Sequence, residues 1–350
     1  KADEGMWLLP LLEKMNSGKM TELGFEITPQ QIYDINNSSL KDAIVIFGGG
    51  CTGEIVSDQG LLFTNHHCGF GTIQSLSSVE HNYLRDGYWA LSLDEELPAP
   101  GLSVRFLESF TDVTADVNKA LAKAKTPEDK EKAMTKLENK LAKKAGCDGK
   151  FVVGGINSFY GGNTYYFIVY KVFRDVRFVG APPQAIGKFG ADTDNWMWPR
   201  HTGDFSIFRV YADQNNNPAE YSEDNVPYTP KQYLKVSLAG YEEGSPAMIM
   251  GYPGSTNRFM TASELRETTE KNEAAIKVRT LRQDVLMADM EADPKIMLQY
   301  ASKYAGSSNG WKKWIGMNET FAKLGVEARR AAEEQAFTEW VNAGGEERIA

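Results

Sequence analysis

"GLLFTNHHCGFG", residues 60–71, carries two of the chain's four histidines, side by side and directly before a cysteine. The run Leu61, Leu62, Phe63 reads as a short buried strand, and His66 and His67 stand at its end. Successive strand residues point to opposite faces, so the two rings serve different purposes. One is available for function while the other packs or faces solvent. Upstream, "AIVIF" (43–47) and "GEIVS" (53–57) are further short apolar runs, set apart by glycines and by the turn Ser57-Asp58-Gln59-Gly60. The histidine pair therefore closes a series of short strands joined by tight turns.

Composition bounds what such a series can serve. The 350 residues leave room for two or three domains with real cores. A net charge of -9 argues against nucleic-acid or anionic-membrane partners, which want a basic face. No apolar run approaches the roughly 20 residues of a membrane span. "KADEGMWLLP" has no apolar stretch of signal-peptide type, as expected of a chain whose signal peptide has been removed. Three cysteines are too few for a disulfide scaffold. Cys51 and Cys68 flank the hairpin, and Cys147 lies in a polar turn. One disulfide with one free thiol fits a periplasmic or secreted protein, and three thiols fit the cytosol equally well.

The texture changes along the chain. "EGMWLLPLLEKM" (4–15) and "ITPQQIYDI" (27–35) have helical spacing, with Thr28-Pro29 reading as a cap and N1 proline. Strands follow from Ala43. Residues 113–145, rich in Ala, Lys and Glu, read as a solvated helical excursion. Strands resume in "KFVVGG" (150–155), "TYYFIVYKVFRDVRFVGA" (164–181), "FSIFRVYA" (205–212), "YLKVSL" (233–238) and "SPAMIMGYPG" (245–254). After Thr256 the chain reads as helices broken near "EADPK", "AGSSNGW" and "NAGGEE". The expected division is a β-rich part, 1–255, and a helical part, 256–350.

Two motifs are decoys. Gly48 to Gly53 matches G-x-G-x-x-G after a strand, but a dinucleotide site needs a helix next, and the following residues read as strand, turn and strand. No cofactor is expected. His201 and Asp204 are three residues apart, yet neither H-x-x-x-H nor H-E-x-x-H occurs. A closed metal site needs three or four convergent ligands, so no metal is expected.

Thr64-Asn65-His66-His67-Cys68, with Cys51 on the preceding strand, resembles the T-A-A-H-C signature of chymotrypsin-like serine proteases. By that resemblance His67 is the general base and Cys51–Cys68 a disulfide tether, closing a loop of about 16 residues for roughly 3 kcal/mol in the chain-entropy account. From these five residues alone, a core histidine beside a buried thiol is an equal reading. Downstream, "DNWMWPRHTGDFSIFRVY" (194–211) places Asp204 at the head of a strand, in the His-then-Asp order of the chymotrypsin fold. There a carboxylate holds the imidazole tautomer.

Together with "DEGMWLL" (3–9), "GGCTGEIVSDQGLLFTNHHCGFG" (49–71) and "GYPGSTNR" (251–258), these motifs resemble the bacterial serine dipeptidyl-peptidases of the dipeptidyl peptidase seven and eleven family. The resemblance runs the length of the chain. It implies a β-rich chymotrypsin-like double barrel, here its first barrel and the start of the second, with an inserted α-helical domain. It also implies release of dipeptides from peptides with a free N-terminus, a periplasmic or secreted location, and a homodimer at full length. By the same resemblance Asn195, Trp196 and Asn309 hold the substrate's N-terminal ammonium, although "DNWMWPR" also reads as aromatic packing beneath a loop. The family's G-N-S-G-S-P loop, which carries the nucleophile, has no match. Asn16-Ser17-Gly18 precedes the histidine, and Gly244-Ser245-Pro246 lacks the following glycine. The chain alone is thus expected to be inactive. A non-catalytic peptide-binding pseudo-protease and a trypsin-like endopeptidase are the rival expectations.

Overall fold

The computed structural model describes residues 6–257 and 259–345. Asp3, Glu4 and Gly5 of the first family motif, and Arg258 at the end of the last, lie outside the described residues. Short helices α1 (Leu12–Met15), α2 (Ser17–Glu22) and α3 (Pro29–Ile32) lead into strands β1 (Ile44–Phe47), β2 (Cys51–Ile55) and β3 (Leu61–Thr64). Helices α4 (His66–Leu76) and α5 (Tyr83–Asp86) follow, then β4 (Tyr88–Trp89), β5 (Leu97–Pro98) and β6 (Val104–Asp112). After α6 (Thr114–Leu121) and α7 (Pro127–Lys144) come β7 (Val152–Phe159), β8 (Thr164–Phe173) and β9 (Asp175–Ala181). Helix α8 (Gln184–Gly187), β10 (Ser206–Ala212) and β11 (Val226–Pro227) precede three long helices, α9 (Ala262–Ala292), α10 (Pro294–Lys323) and α11 (Val326–Asn342). Thr28 caps α3 in the expected way, accepting from Gln31 N while Gln31 Oε1 accepts from Thr28 N.

The chain forms two compact units. One draws on residues up to Thr72, Tyr88–Ala181 and Phe205–Pro253; the other on Ile73–Gly87, Pro182–Asp204 and residues from Gly254 on. In the first, eleven strands make one sheet in the order β4-β9-β10-β3-β2-β1-β6-β8-β7, with β11 on β10 and β5 on β9. Its pairings are antiparallel. Phe47, Leu62, Phe178 and Phe208 are buried at its centre. The Phe208 ring lies 4.8 Å from Phe47 and 5.4 Å from Phe178. Each such side chain contributes about 1.5–3 kcal/mol through burial. The glycine stretch after β1 turns directly into β2, with Phe47 paired to Cys51, so it opens a strand and not a helix.

Two expectations about this unit need correction. The excursion at 113–145 is helical, but it is not merely solvated. Val113 and Val117 are buried against Phe167 and Val169 of β8, and Leu121, Met134, Leu137 and Leu141 pack on them. Its apolar residues are sparse yet fall on one face, which suffices to cover a strand pair. Conversely, residues 233–238 and 245–254 form no strand. They carry no regular secondary structure, and Leu238 and Ile249 are 96 and 99 % exposed. Apolar alternation makes a strand only where a partner's backbone completes the ladder. Here single bonds tie the segment down, from Leu234 N to Ile55 O and from Tyr252 N to Thr52 Oγ1.

In the second unit α9 and α10 form a hairpin at Asp293-Pro294, where Asp293 caps α10 by accepting from Lys295 N. Hydrogen bonds Asn272–Asn318 and Thr280–Trp311 fix their antiparallel register. The break expected at "AGSSNGW" does not occur, for α10 runs straight through it. Ser307 and Ser308 are buried there, where Ser307 Oγ accepts from Arg279 and Ser308 Oγ donates to Asp192. The breaks near 293 and 343 stand as read.

Candidate active site

The corner after β3 is built by the carbonyl of Asn65. It accepts from Cys68 N (3.1 Å) and Gly69 N (3.2 Å), which starts a helix, and from Ser206 Oγ (2.9 Å) of β10. His66 and His67 are therefore the first residues of α4 and not the end of the strand. They still diverge, because neighbours on a helix are turned by about 100°. His66 is 1 % exposed, its ring edge-on to Phe70 at 5.8 Å; His67 is exposed.

Cys51 and Cys68 are disulfide-bonded, with Cα atoms 6.1 Å apart, and this ties the start of α4 to the start of β2. A ring nitrogen of His67 lies within 4.8 Å of both sulfurs. This is the one three-ligand cluster with metal-like spacing among the described residues. Its two sulfurs are bonded to each other and have no thiolate to offer, so it cannot act as a Cys–His–Cys metal site. Cys147 is free and half-buried, its thiol pushed up from the usual range by burial and then by Asp148. A Cβ on Gly69 would stand 2.7 Å from Ser206 Oγ and 3.1 Å from the Phe208 ring, so only glycine lets α4 lie this close to β10. Ser206 pairs with Thr64 in the β3–β10 register. Asp204, half-buried, lies two residues before Ser206. Of the two rejected serine triplets, Ser17 opens α2 and Ser245 closes a turn with Glu242.

In the second unit the segment 188–200 carries the other resemblance-derived residues. Asn195 Nδ2 donates to Asn309 Oδ1 at 2.9 Å, and Trp196 Nε1 donates to the main-chain carbonyl of Asn309 at 3.0 Å. Residues more than a hundred positions apart thus form one cluster. Trp196 is 54 % exposed, and Lys313 Nζ sits 6.0 Å from its ring centroid. The segment is strained, with Ala191 at φ +43° and Trp196 at φ +61°, each costing about 1–3 kcal/mol for such residues. Gly190, at φ +78°, is obligatory, because a Cβ would overlap the Asp194 side chain at 1.9 Å.

Sequence reasoning missed what fastens this segment. Asp192 accepts from Lys188 Nζ (3.0 Å) and from Ser308 Oγ (2.7 Å), while Lys312 Nζ donates to the carbonyls of Asp192 and Thr193. Tyr304, on the same helix, has its hydroxyl pKa raised by burial and by the nearby Asp192 charge. The i, i+4 spacing of Lys188 and Asp192 was the one local signal; the bonds from α10 span more than a hundred residues.

Residues 2–350 match Peptidase S46, and the protein belongs to that family. It is 52 % identical over 341 residues to a dipeptidyl-peptidase 7 of Porphyromonas endodontalis, covering 97 % of this chain and 42 % of the relative. It is 50 % identical to an Asp/Glu-specific dipeptidyl-peptidase of the same organism, covering 98 % of this chain and 48 % of the relative. The crystal structure of P. endodontalis DPP11 in complex with the dipeptide Arg-Glu superposes with a TM-score of 0.92 at 50 % identity, covering 98 % of this chain and 50 % of that one. The chain thus spans about half the length of the curated relatives it matches.

Proposed function

We propose that this chain carries the histidine and aspartate of a serine exopeptidase that releases dipeptides from free N-termini. The nucleophilic serine comes from sequence outside these 350 residues. His67 takes the serine proton as general base and returns it to the leaving amine, while Asp204 holds its tautomer. Support comes from chain order and register: His67 follows Thr64 by three residues, Thr64 pairs with Ser206, and Asp204 precedes Ser206 by two. The antiparallel sheet and the long helices after it are in keeping with a chymotrypsin-like first barrel and an inserted helical domain. The disulfide favours an oxidising compartment such as the periplasm.

One observation carries the exopeptidase reading: the exposed cluster of Asn195, Trp196 and Asn309. An ammonium has only donors, so its site needs acceptors, and an aromatic face adds attraction. Asn195 spends a donor on Asn309 and keeps its Oδ1 as an acceptor. Asn309 Oδ1 has a second lone pair, and the Trp196 ring lies at cation–π range of the Lys313 ammonium. The DPP11 structure that resembles this chain holds a dipeptide.

The test is hydrolysis by the full-length protein of a dipeptidyl reporter with a free or an acetylated N-terminus. Cleavage confined to the free form is expected. Equal cleavage of both would mark an endopeptidase, and cleavage of neither a binding module.

A further inference from the structure

The cluster of Asn195, Trp196 and Asn309 is held by a second set of contacts that no catalytic or binding role accounts for. Ser308, Asn309 and Lys312 lie within about one turn of α10, so their side chains emerge on neighbouring positions of one face. Asn309 meets the amide and the indole directly. Ser308 and Lys312 act just upstream: Ser308 Oγ bonds Asp192 Oδ2 at 2.7 Å, and Lys312 Nζ bonds the carbonyls of Asp192 and Thr193. Lys188 closes the other side of Asp192 at 3.0 Å.

An ammonium offers three donors. Two of them here fall on consecutive carbonyls, which fixes the two successive peptide planes 192–193 and 193–194. Asn195 and Trp196 follow within three residues, and Trp196 is the one held at φ +61°. A backbone so far from its relaxed conformation needs outside contacts to stay there.

We propose that Lys312 is a positioning residue for the ammonium-binding cluster, with Ser308 and Asp192 as its supports; this rests on the exopeptidase reading above. It makes no contact with substrate in this role. It sets where the Asn195 amide and the Trp196 ring stand, and so the affinity for a free N-terminus.

The test compares Lys312→Met, Lys312→Arg, Ser308→Ala and Asn195→Ala in the full-length protein, using a dipeptidyl coumarin amide with a free N-terminus. A contact acting on binding alone raises KM and spares kcat, so Lys312→Met should raise KM about tenfold with kcat within about twofold. Lys312→Arg keeps a cation with several donors and should return KM to within about threefold of the parent. Hydrogen exchange at residues 191–197 should quicken in Lys312→Met while α9 and α10 stay protected. A folded Lys312→Met with KM within about twofold of the parent overturns the proposal, as does a loss confined to kcat. Should Lys312→Met not fold, Ser308→Ala decides, with a KM rise of about threefold expected and an unchanged KM overturning it. Asn195→Ala separates the two readings. If it raises KM while Lys312→Met does not, only the positioning role falls; if it leaves KM unchanged, the ammonium site itself is refuted.

Discussion

The histidine corner and the 188–200 segment hold their exposed residues in opposite ways. At the corner the support is mainly local and covalent: a strand, one carbonyl collecting two donors from the next turn besides the distant Ser206 hydroxyl, and a disulfide between residues 17 apart in sequence. In the 188–200 segment the support is remote and polar, a strained backbone fastened by three side chains of a helix turn more than a hundred residues away. The first arrangement spends chain connectivity on rigidity. The second depends on a neighbouring element being in place, so it is the one that a change elsewhere in the second unit can loosen.

The sharpest way to break this contrast is to exchange the two histidines' fates. His67→Ala in the full-length protein should cut turnover by about 10⁴–10⁶-fold, the range for loss of a triad member. His66→Ala should keep measurable turnover and instead lower unfolding stability by about 2–4 kcal/mol, as loss of a buried ring does. Turnover and urea denaturation of both variants check this, and a larger turnover loss in folded His66→Ala would reverse the roles.

Next in size is the tether. Replacing Cys51 and Cys68 together by serine should cost about 3 kcal/mol of stability, read from the denaturation midpoint. Non-reducing peptide mapping of the parent should show this bridge with Cys147 as a free thiol. Two free thiols at positions 51 and 68 would remove the covalent half of the comparison.

Gly69→Ala probes the same corner without touching a bond. Its methyl group must displace Ser206 Oγ or the Phe208 ring, so a loss of about 1–3 kcal/mol is expected. A neutral result would mean that α4 can move away from β10 freely.

The smallest effect should come from Trp196→Ala. With half its surface exposed, Trp196 adds little to stability, so the denaturation midpoint should hold. Binding of a free N-terminus should weaken by about 0.5–2 kcal/mol, seen as a rise in KM. A destabilised variant with unchanged KM would turn the indole into a packing residue.

The same contrast explains what the sequence made legible. The sheet strands and the hairpin at 51–68 are local patterns of apolar runs and turns, and so they read correctly. His66 and His67 were assigned to a strand because the apolar run points that way. The chain turns helical there only because Asn65's carbonyl is met by two following amides, a choice that no side-chain pattern announces. "AGSSNGW" looked like a break because Gly and Ser are poor helix formers. Tertiary contacts override that propensity, among them the bonds of Ser307 to Arg279 and of Ser308 to Asp192. Residues 233–254 have the alternation of strands, but pairing is a property of two segments and not of one. Asn309 was recognisable by resemblance alone, since nothing within ten residues of it suggests Asn195 as its neighbour.

The bond between Cys51 and Cys68 also has a place in time. A newly made chain kept reduced lacks the covalent tie between α4 and β2, which leaves the first turn of α4, where His67 stands, more open to fraying. Oxidation then becomes a maturation step, after which the turn that carries His67 is tied to the sheet. On the reading proposed above, peptidase activity of the full-length protein begins only after the bridge has closed, in a compartment able to oxidise it.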